Sequence, residues 1–171
     1  MNKIIKKIDD INEKTGRFAK WITYAFVALI CAEVFMRYAL NRPTIQLPVI
    51  VTMTTAAMYV LSFGYIFLHD GHVRIDVVTR LLSPRGRAIM DAVFGLLFFF
   101  PVIGSLTIQG AWWTWFAWAT GETDKQTFWY APIAPIRTVV FIGLLLFLLQ
   151  GISVFIKKFY FIVKGKELTY D

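Results

Sequence analysis

Glu33 and Arg37 stand four residues apart inside the first apolar run of the chain, and they have the most scope for chemistry. On a helix that spacing puts both on one face with the acid N-terminal to the base, the order that favours an ion pair. An unpaired charge in the bilayer costs roughly 3 kcal/mol on insertion scales, so Glu33 is expected to face protein rather than lipid. Three uses stay open on the residues alone: a local anchoring pair, a contact between subunits, and ion coupling.

The other reactive groups are sparse. His69 and His72 are the only histidines, three apart at the end of an apolar run. That spacing could bind a metal, but no cysteine stands beside them, and a solvated or capping pair is the expectation. Cys31 is the single cysteine and lies within apolar sequence, which leaves no disulfide pair and no CxxC motif. No nucleophile–base–acid set and no glycine-rich phosphate loop can be assembled. Two histidines on one loop cannot supply paired axial haem ligands from within spans. No Lys, His or second carboxylate lies deep in a span to form a relay with Glu33. The chain is therefore not expected to be an enzyme or to hold a metal or cofactor.

Those residues must be positioned by membrane-spanning elements. The chain is 57% hydrophobic and only 17% charged, where ordinary soluble domains are roughly 25% charged. A net charge of +7 could point to nucleic acid. The basic residues sit at the ends of apolar runs, however, so anionic lipid is the expected partner and nucleic acid is not.

The sequence reads as one all-α integral membrane domain over 1–171, with four spans at about 18–40, 44–68, 90–113 and 136–156. Each run has the roughly 20 residues a crossing needs. Residues 1–17 form an amphipathic segment, with Ile4, Ile8, Ile11 and the later Phe18 on one side and a Lys-rich face opposite. This pattern is expected of a short helix over 3–15 lying on the cytoplasmic surface. No cleavable signal peptide is expected, because the charged start leads into an apolar run longer than a signal core.

A second short surface helix is expected around Ile75–Leu82, with Asp76 on its polar side, ended by Ser83-Pro84-Arg85-Gly86. Asp91 marks the inner end of the third run, and Pro101 is expected to kink it with help from Gly95 and Gly104. Beyond Gly110 come Trp112, Trp113, Trp115 and Trp118, residues that prefer the headgroup level. That end is expected to leave the hydrocarbon and lie along the outer surface. With Glu122 and Trp129 it forms a candidate aromatic docking patch. Fourteen of the 18 Lys and Arg fall in the N-terminal segment, the 69–87 loop and the C-terminal tail. The excess of basic residues on one side places both termini in the cytoplasm.

Three segments carry a resemblance. The first is Glu33, Arg37-Tyr38 and the turn residue Asn41. The second is Gly71-His72-Val73-Arg74-Ile75-Asp76 at the end of a span. The third is the tryptophan-rich stretch running through Gly121-Glu122 into Pro132 to Arg137. Leu149-Gln150-Gly151 adds to them. In this order and spacing the chain resembles the small membrane subunit of tripartite ATP-independent periplasmic (TRAP) transporters. It departs from that pattern where the family commonly carries a carboxylate at the start of the second span. Here the segment reads Ile45-Gln46-Leu47-Pro48, and Gln46 can only hydrogen-bond.

The resemblance implies a non-catalytic scaffold in a bacterial inner membrane, beside a large multi-span transport subunit. It also implies sodium coupling, an organic-acid substrate and a periplasmic solute-binding protein that delivers it. Glu33, Arg37, Gln46, Asp76 and Asp91 are the candidate interface or intramembrane polar residues. Two rivals remain on the sequence: a small self-dimerising proton-coupled exporter using Glu33, and the membrane anchor of a redox enzyme.

Overall fold

The structure is a computed structural model that describes residues 2–69, 83–125 and 128–165. Four helices make up most of it: α1 (Asn2–Tyr38), α2 (Gln46–Leu68), α3 (Pro84–Thr120) and α4 (Ala134–Lys164). Each is long and apolar enough to cross a membrane. Among the described residues there is no strand, only an isolated antiparallel bridge between Thr123 and Pro132.

The break expected between a surface helix at 3–15 and a first span is absent. α1 runs through 37 residues without interruption. No proline intervenes, the Thr15 hydroxyl bonds the Ile11 carbonyl, and Glu13 pairs with Arg17 one turn on. The packed side of the early turns is Ile5, Asn12 and Ala19, all buried. Ile4, Ile11 and Phe18 are left facing outward.

α3 also differs from its expectation. Pro101 does disturb the helix, through a π-helical turn at Gly95–Phe99 in which the Phe100 N–H bonds the Gly95 carbonyl five residues back. Proline lacks an N–H and crowds the carbonyl four residues before it, so the ladder ahead of it re-registers. After that turn the helix continues to Thr120, where Gly121 closes it in the left-handed conformation (φ 63°). The Trp-rich end is thus the last turns of α3 and not a separate surface element. Ser83 and Pro84, expected to end an element, instead open α3: the Ser83 Oγ accepts from the Gly86 N–H and proline takes the first helical position. The surface helix expected around 75–82, with His72 and Asp76, lies outside the described residues.

At a rise of 1.5 Å per residue α1 and α3 each extend about 55 Å, well beyond a ~30 Å hydrocarbon layer. Their ends must project past the layer or the helices must tilt.

Packing is centred on α4, which contacts all three other helices; α2 lies between α1 and α4, and α3 lines another side of α4. Small residues set the spacing. A Cβ on Gly143 would fall 2.9 Å from the Val60 carbonyl and 2.2 Å from its Cγ1, so only glycine lets α2 and α4 meet here. Phe67 of α2, Phe99 at the π turn and Phe147 of α4 form an aromatic knot, with Phe67 and Phe99 stacked at 5.2 Å. The buried apolar core is otherwise thin and rich in alanine, while most large apolar side chains point outward. A lipid-facing exterior has that composition, because apolar association gains nothing where the solvent is hydrocarbon.

Candidate functional site: polar clasps between the helices

The Glu33 pair closes on itself. Arg37 donates from Nη2 at 2.7 Å and from Nε at 3.2 Å to Glu33 Oε1. The Thr44 hydroxyl donates to the other oxygen, Oε2. Asn41 makes this possible by taking a left-handed conformation (φ 49°), one that Asn tolerates better than most residues. The Arg42 N–H then bonds the Met36 carbonyl at 2.9 Å, and the chain folds back so that Thr44 meets Glu33. Both carboxylate oxygens are therefore occupied, and Glu33 is buried.

A second clasp joins the ends of α3 and α4. Arg137 grips Glu122 bidentately, at 2.7 and 2.9 Å, and lies over the Trp113 ring. Trp118 donates from Nε1 to the Thr138 hydroxyl at 2.9 Å, and the Thr114 hydroxyl donates to the Arg137 carbonyl. The intervening loop is pinned by the Asp124 N–H to Ala131 and the Ile133 N–H to Glu122. The expected aromatic patch consequently divides. Trp113, Trp118 and Glu122 flank the buried face of α3 and hold α4. Trp112 and Trp115 fall with Ile108 on the opposite, exposed side. Trp129 is also partly exposed, in the loop.

The third clasp is one that sequence reasoning missed. Asp9 of α1 accepts from three groups on α4: Gln150 Nε2 at 2.9 Å, Ser153 Oγ at 2.8 Å and Lys157 Nζ at 2.6 Å. One turn along α1, the Asn12 amide donates to Gln150 Oε1 at 2.9 Å. Asn12, Gln150 and Ser153 are each no more than 1% exposed. Gly64 of α2 completes the site, since a Cβ there would sit 1.9 Å from Asn12 Oδ1. The signal was available: Gln150, Ser153 and Lys157 recur on one face of an otherwise apolar helix, as Asp9 and Asn12 do on α1.

Two further contacts lie towards the same end. Lys158 pairs with Asp91, and the Arg85 guanidinium donates to the Ile162 carbonyl at 2.7 Å, joining the start of α3 to the last turns of α4. His69, at the end of α2, places Nε2 2.6 Å from Glu13 Oε2. That hydrogen bond, with a smaller one from Arg17, holds the Glu13 carboxyl below its ordinary range despite partial desolvation. Gln46 is exposed at the first turn of α2, and Asp76 is outside the described residues. Among the described residues no three metal-ligating side chains converge.

These side chains join helices to each other, and nothing in them forms a reaction centre. The molecule is in this respect an integral membrane subunit whose polar groups are spent on its own architecture. Residues 26–160 match the family model for tripartite ATP-independent periplasmic transporters, DctQ component. That covers most of the chain, and the chain belongs to this family: it is the small membrane subunit of a TRAP transporter, a transporter component and not an enzyme. The family works with a large membrane subunit and a periplasmic binding protein. Neither a curated protein nor a solved structure matches the chain.

Proposed function

We propose that this subunit is a fixed scaffold, with both termini cytoplasmic, for the large subunit of a sodium-driven importer of organic acids. The observation that carries the reading is the self-contained polar chemistry. The Glu33 carboxylate is engaged on both oxygens, and Asp9, Asp91 and Glu122 each bind a cation on α4. No such group is left as an evident proton carrier, whereas wide apolar faces remain for lipid and a neighbouring subunit. That balance favours a static support over the exporter. In this reading Gln46, Asp76 and Asp91 lie at or near the contact with the large subunit. The exposed Trp112 and Trp115, with Trp129 and the loop after Glu122, form the surface nearest the binding protein.

Arg37→Ala tests the scaffold role of the first clasp. Loss of the guanidinium leaves Glu33 beside Thr44 alone and loosens the α1–α2 turn. The expected outcome is reduced co-purification with the large subunit and reduced binding-protein-dependent uptake. Normal assembly together with normal uptake would contradict this role.

A further inference from the structure

We infer that the outward face of α3 between Val102 and Phe116 docks a transmembrane helix of the large subunit, with the Gln109 amide hydrogen-bonding across the contact. This rests on the scaffold reading and gives it a place on the chain. The inner side of α3 is taken by α4: Thr107 and Ala117 are buried, Gly110 lies against Leu144 and Phe141, and the Thr114 hydroxyl bonds the Arg137 carbonyl. Val102, Ser105, Gln109, Trp112 and Phe116 recur every three or four residues on the other side, and all five are exposed.

The amide decides the occupant. The Ser105 hydroxyl is turned back to the Val102 carbonyl, and the buried amides Asn12 and Gln150 bond each other. Gln109 makes no hydrogen bond among the described residues. It follows Asp91 by 18 residues and precedes Glu122 by 13, about 27 and 20 Å along a helix. Leu144, beside Gly110, lies seven residues inside Arg137 on α4, about 10 Å. At that depth acyl chains offer an amide no partner, and an unpaired polar group is costly. A polar group on a neighbouring helix removes the cost. A second copy fits poorly, because in a two-fold pair of parallel α3 helices each residue meets its own counterpart. Trp112 would then face Trp112, and Phe116 would face Phe116, which holds the axes apart above the small Ser105. A helix of different sequence can set a large side chain against Ser105 and a donor or acceptor against Gln109. The large membrane subunit that the family works with is the source of such a helix.

The test uses the full chain co-expressed with its large subunit and extracted in mild detergent. Gln109→Leu, a change at an exposed side chain, should lower retention of the large subunit by roughly threefold to tenfold, the effect of one interhelical hydrogen bond in a membrane. The variant should keep its helical circular dichroism. Benzoylphenylalanine placed at Ser105 should join the chain to the large subunit on illumination, and at Ala28, on the exposed side of α1, it should not. Full retention in Gln109→Leu would overturn the contact and leave the scaffold reading standing, as would adducts with the large subunit from Ala28 and none from Ser105. An adduct between two copies through Ser105 would assign the face to self-association and equally overturn it. An unaltered chain that retains no large subunit would remove the scaffold reading itself, and this contact with it.

Discussion

Asp9 illustrates how much one side chain can hold. Its carboxylate collects Gln150, Ser153 and Lys157 from a helix far away in sequence, and its side chain is only 13% exposed. Removing one partner of a buried ion pair leaves an uncompensated charge, typically at a cost of 3–5 kcal/mol. Asp9→Asn should therefore lower the thermal midpoint of the detergent-solubilised chain, and adding Lys157→Met should restore part of the loss. A full, additive loss in the double variant would show that the pair is not coupled. Glu13 gives a pH-dependent counterpart outside the apolar window. Its carboxyl is held below the ordinary 4.5, chiefly by His69. A lowered folded value contributes stability above 4.5 that disappears as pH falls through the lowered value. The stability gap between the chain and Glu13→Gln should be present at neutral pH and vanish in acid. A gap that grows on acidification would contradict the pairing.

At the scale of the element, α1 and α3 show what separates a pattern from a packed helix. The charge run before Phe18 reads as a surface segment because its Lys-rich face has no visible partner in the sequence. That face stays exposed, and the polar residues that seat the segment on α4, Asp9 and Asn12, are scattered among apolar neighbours. Pro101 was legible as a disturbance, but its form as a π turn depends on the carbonyl geometry ahead of it. The Trp-rich end of α3 was not legible as a continuation of the helix, because the contacts that hold it, Trp118 to Thr138 and Thr114 to Arg137, are made with another element. Glycines separate in the same way. Gly64→Ala should push Asn12 away and cost about 1–3 kcal/mol, as overpacking does. Gly104→Ala meets no atom within 4 Å and should be neutral or stabilising by about 0.5–1 kcal/mol, from the better helix former. Thermal midpoints of the two variants check the contrast; equal effects would mean that α1 does not seat on α2 at Gly64.

For the whole molecule, the four apolar helices were readable from run length and charge gaps alone, because both are properties of the chain and not of its contacts. The Glu33–Arg37 pair was readable for the same reason, being local to one helix. The Thr44 contact and the Asp9 clasp were not, since each depends on how separate elements come together. The outcome is a set of helices gathered on α4, tied by ion pairs at both ends and clad in outward apolar side chains. Such a body is suited to standing against another membrane subunit, and among the described residues Asp9, Glu33, Asp91 and Glu122 are each engaged by a neighbouring cation. Solute uptake in proteoliposomes tests that claim most directly, comparing this chain alone with the same chain plus its large subunit and binding protein. The account predicts no uptake from the chain alone and uptake when all three components are present. Solute movement by the isolated chain, abolished by Glu33→Gln, would contradict it.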